Sequence, residues 1–147
     1  MAARRTAFSL IEAIVIVVIL GAMAFIAVPR LNFAVLYRKQ AHTVAKQIVT
    51  DLRRTRTLAI TRAATNSTGF SLQITGSTYQ IIDDSNGTTV DSQMIDSHIS
   101  CGGGSQFLFG PLGNLRAGST PLTVSSAGRT YTITVITGTG IVECTGG

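Results

Sequence analysis

The chain has 147 residues, room for one domain and an N-terminal extension of about one helix. It has no Trp and two cysteines, which leaves no framework of several disulfides and no Cys/His cluster for a structural metal. The formal charge of +5 is unevenly spread, because ten of the twelve basic residues precede Ala63. After it stand only Arg116 and Arg129 against Asp83, Asp84, Asp91, Asp96 and Glu143, a net of −3. That split argues against a nucleic-acid surface on the second half.

The first seven residues carry Arg4 and Arg5 and read as a basic leader. Behind them come Phe8-Ser9-Leu10-Ile11-Glu12 and an uncharged run from Ala13 to Val28. Residues 8–29 are long enough, at 1.5 Å per helical residue, to cross a hydrocarbon core of about 30 Å. Glu12 is the odd feature. A carboxylate inside such a helix costs about 2.5–3.5 kcal/mol on insertion scales and usually has a partner. Near the interface the cost is small and needs none. A secretory signal peptide also has a basic start and an apolar stretch, and Ala22-Met23-Ala24 offers a cleavage site for one. Glu12 and the continuation of the apolar run through Val28 speak against that reading. Pro29 closes the run, where its ring and missing N–H kink or stop a helix.

The leader, the small residue before Phe8, the Phe-Ser-Leu-Ile-Glu stretch and the apolar helix resemble the N-terminal signature of type IV prepilins and type II secretion pseudopilins. The resemblance places the leader cut between Ala7 and Phe8 and N-methylation on Phe8. Glu12 then becomes the fifth residue of the mature chain and Pro29 the twenty-second, both as in the family. Ala7 stands where the family usually has Gly. The resemblance also implies a single-pass inner-membrane protein with its N-terminus in the cytoplasm and its C-terminal domain in the periplasm.

Beyond Pro29, Ala41, Val44, Ala45, Ile48, Leu52, Thr55 and Ala59 recur at helical spacing, with Lys46, Arg53, Arg54 and Arg56 largely off that stripe. Residues 30–64 therefore read as an amphipathic helix continuing the anchor, its apolar face on a sheet and its basic face in solvent. The run from Asp51 to Arg62 is similar to the helix end of the GspH/FimT branch of minor pseudopilins.

From Gly69 the period changes to two. Phe70 to Ile74 and Thr78 to Asp83 form a hairpin around Thr75-Gly76-Ser77. Asp83-Asp84-Ser85-Asn86-Gly87 reads as a turn rather than a calcium loop, since the late Glu ligand is missing. Met94 to Ile99 and Gln106 to Phe109 are expected strands. Leu122 to Val124 and Tyr131 to Val135 form a second hairpin, and Ile141 to Cys144 a last short strand. The expected fold is thus α+β: a long N-terminal transmembrane and amphipathic helix packed on an antiparallel β body over residues 65–147.

Cys101 and Cys144 permit one intramolecular disulfide, or remain two thiols. His42 and His98 are isolated in sequence. No nucleophile, phosphate-loop or zinc motif is present, and no enzyme, metal or cofactor is expected. The resemblance implies a minor pseudopilin, a structural subunit of the pseudopilus of a type II secretion system. Its partners would be prepilin peptidase, other pseudopilins or pilins, the inner-membrane assembly platform and secreted cargo. The alternative is a FimT-like minor type IV pilin in DNA uptake or pilus biogenesis. That branch is associated with a basic C-terminal motif, whereas Gly138 to Cys144 holds no Arg and carries Glu143.

Overall fold

The computed structural model describes residues 9–27, 33–118 and 120–146. The chain forms two compact units, Met1–Phe33 and Ala34–Gly147. The expectations at Ala7, Phe8 and Pro29 lie outside the described residues.

The first unit contains α1, Leu10–Ala27. The Ser9 carbonyl accepts its opening bonds, from Glu12 N at 3.0 Å and Ala13 N at 3.2 Å. Glu12 thereby sits in the first turn, where a carboxylate meets the positive end of the helix dipole. Among the described residues no helix is long and apolar enough to cross a membrane, which corrects the single-pass, inner-membrane reading and the spanning helix over residues 8–29. The 18 residues of α1 reach only about 27 Å, and Glu12 shortens the uncharged part to about 22 Å, against a core of roughly 30 Å. The expected junction between the anchor and the helix over residues 30–64 falls on residues 28–32, outside the described residues.

The second unit is organised on α2, Phe33–Thr61. Its Ala41, Ala45, Ile48, Leu52, Thr55 and Ala59 fall at spacings of three and four, and all six are fully buried. Thr55 is tolerated inside because its hydroxyl donates to the Asp51 carbonyl one turn back, at 2.7 Å. Nine strands follow. β1 (Phe70–Thr75), β2 (Thr78–Asp83), β3 (Thr88–Met94), β5 (Gln106–Phe109) and β6 (Leu115–Gly118) form one sheet in the order β3-β2-β1-β5-β6. β4 (Ser100–Gly103), β7 (Leu122–Ser126), β8 (Arg129–Val135) and β9 (Val142–Gly146) form the other, in the order β4-β7-β8-β9. Every pairing is antiparallel. The expected β body is thus corrected to two sheets.

Alternation sets the faces. Phe70 and Leu72 pair across to Phe109 and Phe107, and Leu72 pairs with Ile81 on the other side. In the second sheet Leu122 pairs with Ile133 and Val135 with Val142. These side chains join Ile48 and Leu52 of α2 in one core. The short path from α2 into β1 is held by buried Asn66. Its side-chain amide donates to the Gly69 carbonyl (2.8 Å) and to Asp83 Oδ1 (2.7 Å), while its oxygen accepts from Gly69 N (2.7 Å). Gly69 has φ +103°, and a Cβ there would stand 2.0 Å from the Phe109 carbonyl oxygen, so no other residue fits.

One strand expectation needs correction. Met94 ends a strand rather than starting one, because Ile95–Ile99 is a turn fixed by Ile99 N to the Asp96 carbonyl at 2.9 Å. Gly102 and Gly103 belong to β4, where Gly102 pairs with Thr123. The Asp83–Gly87 segment is a turn: Ser85 N and Oγ both donate to Asp83 Oδ1, and Gly87 N to the Asp83 carbonyl.

Leu52 has no exposed surface and faces both sheets' core, so Leu52→Ala leaves a cavity. We expect a loss of about 2–5 kcal/mol in urea unfolding, with β secondary structure retained below the shifted midpoint. A loss under about 0.5 kcal/mol, the size of an ordinary surface change, would mean that α2 is not the keystone of the core.

Candidate functional site

Of the residues singled out by sequence, Glu12 is the described one with a place in α1. Every described side chain from Ser9 to Phe25 is exposed, including Leu10 (78%), Val17 (68%) and Phe25 (86%). These apolar positions surround the helix rather than forming one stripe. A helix that is apolar all round is buried in its working state. Around it, Glu12 is the sole ionisable group of α1.

The basic residues of α2, expected to be a solvated face, divide into two groups. One group fastens the helix. Arg54 Nη1 bonds Asp91 Oδ2 at 2.5 Å, and this bond holds the Asp91 carboxyl below its usual range. Arg56 Nε donates to the Gly113 carbonyl (3.0 Å), Arg53 Nη2 to the Val142 carbonyl (3.2 Å) and Arg38 Nε to the Ala127 carbonyl (3.1 Å). Asp51, on the same helix, accepts from the Tyr79 hydroxyl at 2.6 Å; burial first and then this carboxylate raise the Tyr79 pKa and keep it a donor. No periodicity could have found these contacts, since the partners lie 28 to 89 residues away.

Gly140 closes the same region. It has φ +67°, and a Cβ there would meet the Gly113 carbonyl oxygen at 2.0 Å and Arg56 Nε at 3.1 Å. The second group of cations, among them Lys39 and Lys46, forms no ion pair among the described residues.

Each histidine lies against a tyrosine. His42 tilts against Tyr131, with ring centroids 5.4 Å apart. His98 stacks on Tyr37 at 4.5 Å, and its Nδ1 is 2.9 Å from Asp96 Oδ1. Both tie α2 to the strands and turns.

The cysteines remain two free thiols, Cys101 half-buried and Cys144 exposed. The permitted disulfide is not made, for a geometric reason. Cys101 lies on β4 and Cys144 on β9, the two edges of one sheet, with β7 and β8 between them. Three strand spacings amount to about 14 Å, beyond the Cα separation of roughly 4.4–6.8 Å that a disulfide spans. Burial pushes the Cys101 thiol pKa up.

Comparison with protein-family models, with curated proteins and with solved structures finds no match to this chain.

In the folded protein, iodoacetamide should label Cys144 quickly and Cys101 slowly, because the reactive form is the thiolate and Cys101 is both covered and harder to ionise. Peptide mass spectrometry after brief labelling reads the two sites. A Cys101–Cys144 cross-link within one chain under mild oxidant would contradict the sheet order.

Proposed function

We propose that this chain is a subunit of a pilin-like filament, a minor pseudopilin of the type II secretion class. It assembles by packing α1 against the N-terminal helices of neighbouring subunits. The observation that carries this reading is α1 itself: exposed apolar side chains on every side and one carboxylate, Glu12, in the first turn. Neighbouring helices of the same kind would remove that surface from water. Each fully buried Val, Leu or Ile contributes about 1.5–3 kcal/mol.

Glu12 then has a role that hydrophobic packing alone does not supply. Cleavage of the leader by prepilin peptidase after Ala7 frees the amine of Phe8, which is positive. Inside a bundle of apolar helices, one subunit's Glu12 neutralises the amine of the next. Two charges that are each costly alone become a pair, which selects the axial register between subunits. The strands after residue 64, where the sequence carries a net −3, are the part that contacts other subunits or secreted cargo. The lack of Arg in Gly138–Cys144 speaks against the DNA-uptake alternative at the C-terminal end.

Glu12→Ala leaves the neighbour's amine unpaired in the bundle. Removing one member of a buried pair costs about 3–5 kcal/mol, so cross-linking to partner pilins should drop more than a hundredfold in equilibrium terms. Glu12→Gln should fall between wild type and Ala. Leader cleavage is checked in parallel by N-terminal mass spectrometry, which should find Phe8 first. Normal cross-linking of fully cleaved Glu12→Ala protein would rule out the carboxylate as the driver of entry.

A further inference from the structure

Cations of both groups converge on one groove. Along α2, Lys39, Lys46 and Arg53 recur at intervals of seven residues with His42 between the first two, Arg38 stands beside Lys39, and Arg129 of β8 joins them from the sheet. Two adjoining cavities of about 330 and 380 Å³ are lined by these residues and share His42 and Tyr131. No carboxylate lines either cavity. Among the described residues, none of Lys39, Lys46, Arg53 and Arg129 forms an ion pair. Like charges crowded on one wall repel each other, and an anionic occupant relieves that repulsion.

The opposite wall identifies the chemistry of that occupant. It is β9, whose Cys144 and Gly146 line the groove. β9 is an edge strand, paired with β8 on one side only. Arg53 already caps the Val142 carbonyl, which leaves the stretch from Glu143 to Gly146 for pairing. Glu143 alternates to the face away from Cys144, so it does not add negative charge to the groove. Val49 and Tyr131 supply an apolar floor.

We infer that this groove takes an extended acidic peptide segment of a partner protein, laid along β9 as an additional strand with its carboxylates toward Lys46, Arg53 and Arg129. Main-chain bonding to an open edge provides the binding, and alternate side chains meet either the floor or the cations. A phosphodiester chain would also use the cations but has no use for the strand edge. The inference stands apart from assembly through α1.

The test is fluorescence anisotropy with the full-length chain in mild detergent and a labelled peptide of alternating Glu and Val at low salt. Binding is expected, and the same peptide with Lys for Glu should not bind. Lys46→Ala together with Arg129→Ala should weaken it about tenfold or more, the size of two lost charge contacts. N-methylation of alternate peptide nitrogens should weaken it comparably in the register that blocks pairing, while leaving the charge intact. Absence of binding, or binding indifferent to both the double variant and the N-methylation, overturns the inference. A single-stranded oligonucleotide that displaces the peptide and shows the same variant dependence also overturns it, in favour of a phosphate-bearing ligand.

Discussion

Everything in the second unit depends on one constraint: α2 must present a narrow, largely small-residue stripe to two sheets at once. Ala41, Ala45 and Ala59 are fully buried, and Ile48 and Leu52 share one core with Phe70, Phe107 and Phe109 of the first sheet and Val124 and Ile133 of the second. Polar side chains of the same helix reach both sheets. Asp51 meets Tyr79, Arg54 meets Asp91, and Arg53 reaches the Val142 carbonyl. Bulkier residues at the alanines would force the sheets off the helix and break these bonds together, since tightly packed cores do not yield by small degrees.

The polar ties also explain why one helix serves both sheets. The first sheet is held by Asp51 and Arg54 through β2 and β3, the second by Arg38, His42 and Arg53 through the β7–β8 turn, β8 and β9. The sheets do not have to share edge-to-edge pairing for the unit to cohere. They share a helix, and the loops that approach it are those with glycine at the contact, as at Gly140.

The parts legible in the sequence are those governed by local period. The stripe of α2, the hairpin of β1 and β2 and the alternation of β7 and β8 follow from apolar spacing alone. β3, β4 and β6 were not legible for physical reasons. Thr88–Met94 exposes most of its residues, Ser100–Gly103 is half glycine, and Leu115–Gly118 buries one side chain, so none carries an alternating signal. The two-sheet division is a long-range property, and with it went the Cys101–Cys144 distance. The N-terminal helix was read as long enough to span a bilayer; its eighteen residues and the early carboxylate fall short. The groove beside β9 was invisible because Arg129 is distant in sequence from the α2 cations it joins.

The central claim is that α1 works inside a bundle of helices. The most direct measurement is thiol accessibility of single cysteines placed around the helix at Ile14, Val15, Ile16 and Val17, on a Cys101→Ser, Cys144→Ser background. These four consecutive positions, each turned about 100° from the last, go round the whole helix. In assembled filaments the account predicts that all four are protected from a water-soluble maleimide and become reactive when the filaments are dissociated. Protection confined to one side, with the other positions labelled as readily in filaments as in dissociated protein, would contradict it.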